Sequence, residues 1–188
     1  AAASPPAVSD LDELIIVATR RPTRADRLAY AVSSADGAAL AAQGVHDALD
    51  LAATTPSMTV TNLGPGRDKI LLRGLSDGPL TGRTQSMVGI YLDEVRLTFN
   101  APDPDLRLVD MAQVEVLRGP QGALYGAGSL GGVLHLVTAA PDRASSGGWV
   151  SATVGATHGG DPSNVVEGAF NTPLLEGRGG ARLVAWRD

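Results

Sequence analysis

The stretch Val114-Glu115-Val116-Leu117-Arg118-Gly119-Pro120-Gln121-Gly122-Ala123-Leu124-Tyr125-Gly126, closely followed by Gly131-Gly132-Val133-Leu134-His135-Leu136-Val137-Thr138, decides the fold. Residues 112–118 and 132–138 are short, rich in Val and Leu and bounded by Gly or Pro, the pattern of two strands. Gly119-Pro120 and the glycines at 122, 126, 128, 131 and 132 permit tight turns and close backbone approach, and carry no chemistry of their own. Gly126-Ala127-Gly128-Ser129-Leu130-Gly131 fits G-x-G-x-x-G. In a dinucleotide fold that loop opens a helix whose N-terminus holds the pyrophosphate. Here a strand pattern follows, and no acidic residue stands about 20 positions on, since Asp142 comes too early and Glu167 too late. The reading is a glycine-rich turn feeding a strand, which speaks against a nucleotide-dependent enzyme.

Working outward, Asp36 can cap a helix through Gln43, with Gly44 to stop it, and a second short helix fits His46–Ala53 before Pro56. The period then shifts toward two. Strands are predicted at 58–61 and 69–73, and at 87–97 with a turn at Asp93-Glu94. Short helices mixed with strands give an α+β domain around a small mixed β-sheet. The loops Gly74–Gln85 and Thr98–Asp105 are long for a compact domain, and such loops often carry function. Beyond Pro141 the pattern alternates. Val150, Ala152, Val154 and Ala156 oppose Ser151, Thr153 and Thr157, while Val166 and Phe170 oppose Glu167 and Asn171. Residues 171–177 read as a tight turn and 180–187 as a further strand. Segments of about ten alternating residues fit outer-membrane barrel strands, and equally any half-buried antiparallel sheet.

Composition narrows the classes. The 188 residues carry a net charge of −5, and Lys69 is the single lysine, so a basic nucleic-acid footprint is excluded. There is no cysteine, hence no disulfide framework or thiolate metal site in this chain. Three scattered histidines make a His-rich metal site a poor fit, and no G-x-S-x-G nucleophile elbow occurs. No catalytic residue, metal ligand or cofactor is therefore assigned. No apolar run reaches the roughly 18 residues of a membrane-spanning helix, which leaves β-barrel strands open. With 23 glycines and 12 prolines, many turns are expected. No cleavable leader is visible, and residues 1–10 read as a flexible terminus.

The Arg-Gly-Pro stretch, Ile70-Leu71-Leu72-Arg73-Gly74 and Val88-Gly89-Ile90-Tyr91-Leu92-Asp93-Glu94-Val95 together strongly resemble the signature of TonB-dependent outer-membrane transporters. The resemblance covers residues 12–188. It implies an α+β plug domain with a small mixed β-sheet and short helices, followed by antiparallel strands of an incomplete transmembrane β-barrel. The implied division is a flexible N-terminus at 1–22, the plug at 23–143 and the first barrel strands at 144–188. Glu13, Leu14, Ile15, Ile16, Val17 and Ala18 resemble the TonB box, a segment that pairs edge-on with a strand of TonB, itself energised with ExbB and ExbD. An extended β-branched segment suits strand addition; read from its residues alone it is equally a first strand of the plug.

Further roles follow only from the resemblance. Arg73 and Arg118 match arginines that lock the plug to barrel glutamates, a task suited to a planar, always-charged fork. Leu80, Thr81, Arg83, Thr98, Phe99 and Asn100 lie on the loops implied to face the substrate, with Arg83 suited to an anionic iron chelate and Phe99 to a ring or chain. The implied function is nutrient uptake across the outer membrane of a Gram-negative bacterium, ferric siderophore by default, with the plug facing the periplasm. The implied partners are TonB, a small-molecule substrate, and the protein's own or a separate barrel. A non-transporting fragment that binds TonB or a ligand is the alternative. A family barrel needs about 22 strands, so the strands present here cannot close one.

Overall fold

The computed structural model describes residues 15–188 except 65, 79–81, 99, 157, 158 and 161, and gives only the backbone of Asp26. In chain order, β1 (Ile15–Ile16) and β2 (Thr23–Arg24) form a small antiparallel pair. Next come β3 (Ala31–Asp36), α1 (Gly37–Ala42), α2 (Ala48–Thr54), β4 (Met58–Val60) and β5 (Ile70–Leu72). They are followed by β6 (Thr84–Gln85), β7 (Val88–Leu92), β8 (Val95–Arg96), β9 (Asn100–Ala101) and β10 (Met111–Arg118). The chain then runs through α3 (Gly122–Tyr125), β11 (Gly132–Thr138), β12 (Gly147–Gly155), β13 (Ser163–Leu174) and β14 (Gly179–Arg187).

The central sheet has the order β3-β10-β11-β7-β8; β11 and β7 run parallel and the other neighbours antiparallel. It is covered on both faces, which is why its inner strands read as nearly continuous apolar runs. The pleat still sorts them. Val114, Val116, Leu134, Leu136, Val88 and Ile90 point to the side of α1 and α2 and build the larger core. Leu117, Val133 and Tyr91 point the other way and meet Ile16, Ala18 and Tyr125 in a second core.

Local chemistry starts the helices as expected. The Asp36 carboxylate accepts the Ala39 amide at 3.0 Å, and Asp47 accepts that of Asp50 at 2.9 Å. The second helix thus begins two residues later than the sequence suggested. A close backbone approach falls at Gly132, whose φ is +147°; a Cβ there would lie 2.1 Å from the Leu117 carbonyl oxygen. The sequence reading missed β3 and α3, and placed a turn at 171–177. In the structure β13 continues to Leu174, and Leu175, Glu176 and Gly177 turn the chain with positive φ. The strand after the 126–131 glycines is β11, so the dinucleotide geometry does not arise.

The strands β12, β13 and β14 form a separate antiparallel meander. Val150, Val154, Val166, Phe170 and Leu183 are exposed on one face. Among the described residues, no helix is long and apolar enough to cross a membrane.

Candidate functional site

Glu115 and His135 are direct cross-strand partners on β10 and β11, on the face turned away from α1 and α2. The Glu115 side chain is fully buried. Its carboxylate accepts from four donors. The Val17 amide reaches Oε1 at 2.7 Å and the Ala18 amide reaches Oε2 at 2.7 Å. Gln113 Nε2 lies 2.9 Å from Oε1, and His135 Nδ1 lies 3.0 Å from Oε2. The other ring nitrogen of His135 faces the Asp93 carbonyl oxygen at 2.9 Å. Both neighbours are acceptors, so the ring satisfies both only as the imidazolium. Burial opposes that charge. The hydrogen bonds to Glu115 and Asp93 and the negative charges of Glu115 and Glu94 outweigh it, and the His135 pKa is raised above its ordinary value.

This pair anchors Ile15–Ala18. Gln113 Nε2 also donates to the Ile15 carbonyl oxygen at 3.0 Å, and the Tyr125 hydroxyl donates to that of Ala18. Arg20 closes the segment with a 2.9 Å ion pair to Glu94, its guanidinium 5.5 Å from the centre of the Tyr125 ring. The expectation of a flexible terminus through residue 22 is corrected for this part. Ile16 and Ala18 are fully buried because their side chains complete the second core. Glu13 and Leu14 lie outside the described residues. The sequence did carry a signal for the anchor: one Glu and one His, each alone inside an apolar strand and at the same pleat parity.

At the other loops, β6 and β9 pair, setting Gln85 opposite Asn100 and Thr84 opposite Ala101. Arg83, immediately before β6, and Asn100, on β9, are both exposed. Thr98 departs from its expected role. It is buried, and its hydroxyl accepts the Ile90 amide at 2.9 Å and donates to the Val88 carbonyl at 3.3 Å, so it braces β7 instead of facing substrate. Leu80, Thr81 and Phe99 lie outside the described residues. Beneath these loops Lys69 is buried with Nζ 3.0 Å from Asp77 Oδ2 and 2.7 Å from Thr84 Oγ1. Asp103 accepts the Ile70 amide at 2.7 Å and the Ser86 hydroxyl at 3.3 Å.

Arg73 is exposed beside Gly119, and Arg118 donates to the Pro56 carbonyl oxygen at 3.0 Å. Among the described residues neither meets a carboxylate. Besides the 3.8 Å pair of Arg107 with Asp188, an ion pair of the opposite polarity, which was not foreseen, joins plug and strands. Asp110 receives Arg182 of β14 in a fork, Nε–Oδ2 2.5 Å and Nη2–Oδ1 2.6 Å, with Trp149 Nε1 at 3.2 Å. The hydrogen bonds from Arg182 hold the Asp110 pKa below the usual carboxylate range.

A mixed-sheet plug with an N-terminal strand stowed on one face, followed by an alternating meander, defines a class of outer-membrane receptor. Residues 24–133 match the TonB-dependent Receptor Plug Domain, and the chain belongs to that family. It is 32% identical over 143 residues, 73% of this chain, to the pesticin receptor of Yersinia pestis. To the vitamin B12 transporter BtuB of Vibrio vulnificus it is 28% identical over 136 residues, 70% of this chain. The chain spans about a fifth of the length of these curated relatives, 20% and 21%. The pyoverdine outer membrane receptor FpvA of Pseudomonas aeruginosa, solved bound to pyoverdine, shares the fold with a TM-score of 0.72 at 23% identity. That likeness covers 92% of this chain and 24% of the receptor. The family's members are receptors and transporters, not enzymes.

Proposed function

We propose that this chain is the plug part of a TonB-dependent outer-membrane transporter that takes up a scarce nutrient, with a ferric siderophore as the default substrate. In this reading residues 1–22 carry the TonB-pairing segment, 23–143 the plug and 144–188 the first barrel strands. Residues 13–18 face the periplasm and pair with a strand of TonB, which relays inner-membrane energy with ExbB and ExbD. The substrate meets the loops that carry Arg83 and Asn100, and Arg83 attracts an anionic chelate. Arg73 and Arg118 face carboxylates of the closed barrel. The observation that carries the reading is the joint arrangement of the plug sheet and the N-terminal strand docked on its outer face. No covalent step is needed, only a free-energy linkage between the outer loops and residues 13–18.

The test is uptake by cells producing the complete protein under iron limitation, with a panel of radiolabelled ferric chelates and vitamin B12. Uptake of one member that requires both TonB and residues 13–18 is expected. Accumulation that persists without TonB, or no uptake of any member by a protein inserted in the outer membrane, would overturn it.

A further inference from the structure

Strand addition works through backbone hydrogen bonds, so what matters is which backbone groups of Ile15–Ala18 are free. Four of them are taken by side chains of the plug. The Val17 and Ala18 amides go to Glu115, the Ile15 carbonyl to Gln113 and the Ala18 carbonyl to Tyr125. A carboxylate and an incoming strand cannot both receive the same N–H groups.

We propose that Glu115 is a positioning residue, a clasp that keeps Ile15–Ala18 unavailable to a partner strand and that can open while the plug stays folded. This rests on the reading of residues 13–18 as the TonB-pairing segment and adds what holds them. The construction allows reversibility. A buried carboxylate stripped of its donors would be strongly unfavourable. When the segment leaves, however, Glu115 keeps His135 at 3.0 Å and Gln113 at 2.9 Å, and water can reach the two positions vacated. His135 keeps Asp93 at 2.9 Å, so the counter-charge remains fixed to the sheet. The departing segment takes with it Ile16 and Ala18 but none of the larger core.

The test uses the complete receptor in detergent, with a reporter thiol at Ile16→Cys and a control thiol at Val88→Cys, a buried member of the larger core that the segment does not touch. Each is reacted with a maleimide in the otherwise unaltered protein and in Glu115→Gln, Glu115→Ala and Tyr125→Phe backgrounds. Glu115→Gln keeps the shape but can no longer accept from both amides. Labelling at residue 16 is expected to rise about tenfold in the Glu115 variants and about threefold in Tyr125→Phe, with residue 88 protected throughout. Equal labelling at residue 16 in every background overturns the clasp. If the Glu115 variants expose residue 88 in step with residue 16, the plug has unfolded and Tyr125→Phe decides. That variant leaves the Glu115–His135 pair intact, and no rise at residue 16 there also overturns the clasp. Adding the periplasmic domain of TonB separates the two proposals. Faster labelling without tighter TonB binding supports the clasp and sinks the pairing role of 13–18. Flat labelling with TonB bound does the reverse.

Discussion

Replacing Asp103 by Asn should stabilise the protein at neutral pH, although it removes a buried acid that accepts two hydrogen bonds. Burial pushes the Asp103 pKa up from 3.8 to about 6. The Ile70 amide, the Ser86 hydroxyl and the charge of Lys69 pull it down, and Asp77 adds to the rise. The folded state therefore holds a proton more tightly than the unfolded chain does. Stability falls as the pH rises from about 3.8 to about 6 and stays lower above that window. Two pKa units correspond to about 3 kcal/mol. Asparagine keeps the acceptor for the Ile70 amide at the 2.7 Å position and offers an N–H toward Ser86, without the charge. Urea unfolding of the chain in mild detergent, followed by circular dichroism, should show Asp103→Asn more stable by about 3 kcal/mol near pH 7.5 and equal near pH 3.5. A variant less stable at pH 7.5 and unchanged at pH 3.5 would mean that the Lys69 charge outweighs burial, and the reasoning would be refuted.

The clasp should loosen as the solution becomes alkaline. The His135 pKa is raised in the folded state, so its stabilisation is complete below the ordinary value of 6.5 and is lost as the pH rises through the folded value. The charged groups around it are Glu115 on β10 and, at the β7–β8 turn, Glu94 with Arg20 bound to it; Tyr30 and Tyr125 also sense Glu115. Hydrogen exchange of the Val17 and Ala18 amides, corrected for base catalysis, should therefore accelerate with rising pH; constant protection factors would contradict the imidazolium. Asp110→Ala should weaken docking of the meander by about 3 kcal/mol, because Arg182 and Trp149 both lose their acceptor. Proteolytic cleavage within 147–187 should then quicken relative to cleavage within 88–138, and equal rates in both proteins would argue against the anchor.

What the sequence showed depended on how local the cause was. Asp36 and Gly44 bound the first helix through caps and a glycine with φ +74°, signals carried by neighbouring residues. The strands expected at 112–118 and 132–138 were visible because they are rich in Val and Leu and adjoin Gly119 and Gly131. The strand Ala31–Asp36 escaped because Ala-Val-Ser-Ser-Ala-Asp has weak strand character and forms only through pairing with β10, some 80 positions on. Half of the candidate site was hidden for the same reason. Glu115 and Val17 are 98 residues apart, so no local pattern pairs them, and only the parity of Glu115 and His135 marked that face as unusual. Thr98 was misread because an exposed-looking loop residue turned back into the sheet.

The meander shows how one long-range contact fixes a register that alternation alone leaves free. Its strands carry most of their large exposed aliphatic side chains on one parity, and a shift of one residue would exchange the two faces of a strand. Arg182 and Asn171 are register partners on the parity that meets the plug. Arg182 reaches Asp110, while the Asn171 side chain accepts the Asp142 amide and donates to the Asp142 and Ser145 carbonyls. Leu183 and Phe170, one residue along on each strand, are partners on the opposite parity and stand exposed. A one-residue slip would strip Asp110 of its fork and turn the aromatic and aliphatic side chains toward polar plug atoms. The Asp110 contact thus does more than fasten two units. It selects which face of the strands is left apolar, as a lipid-facing barrel wall requires.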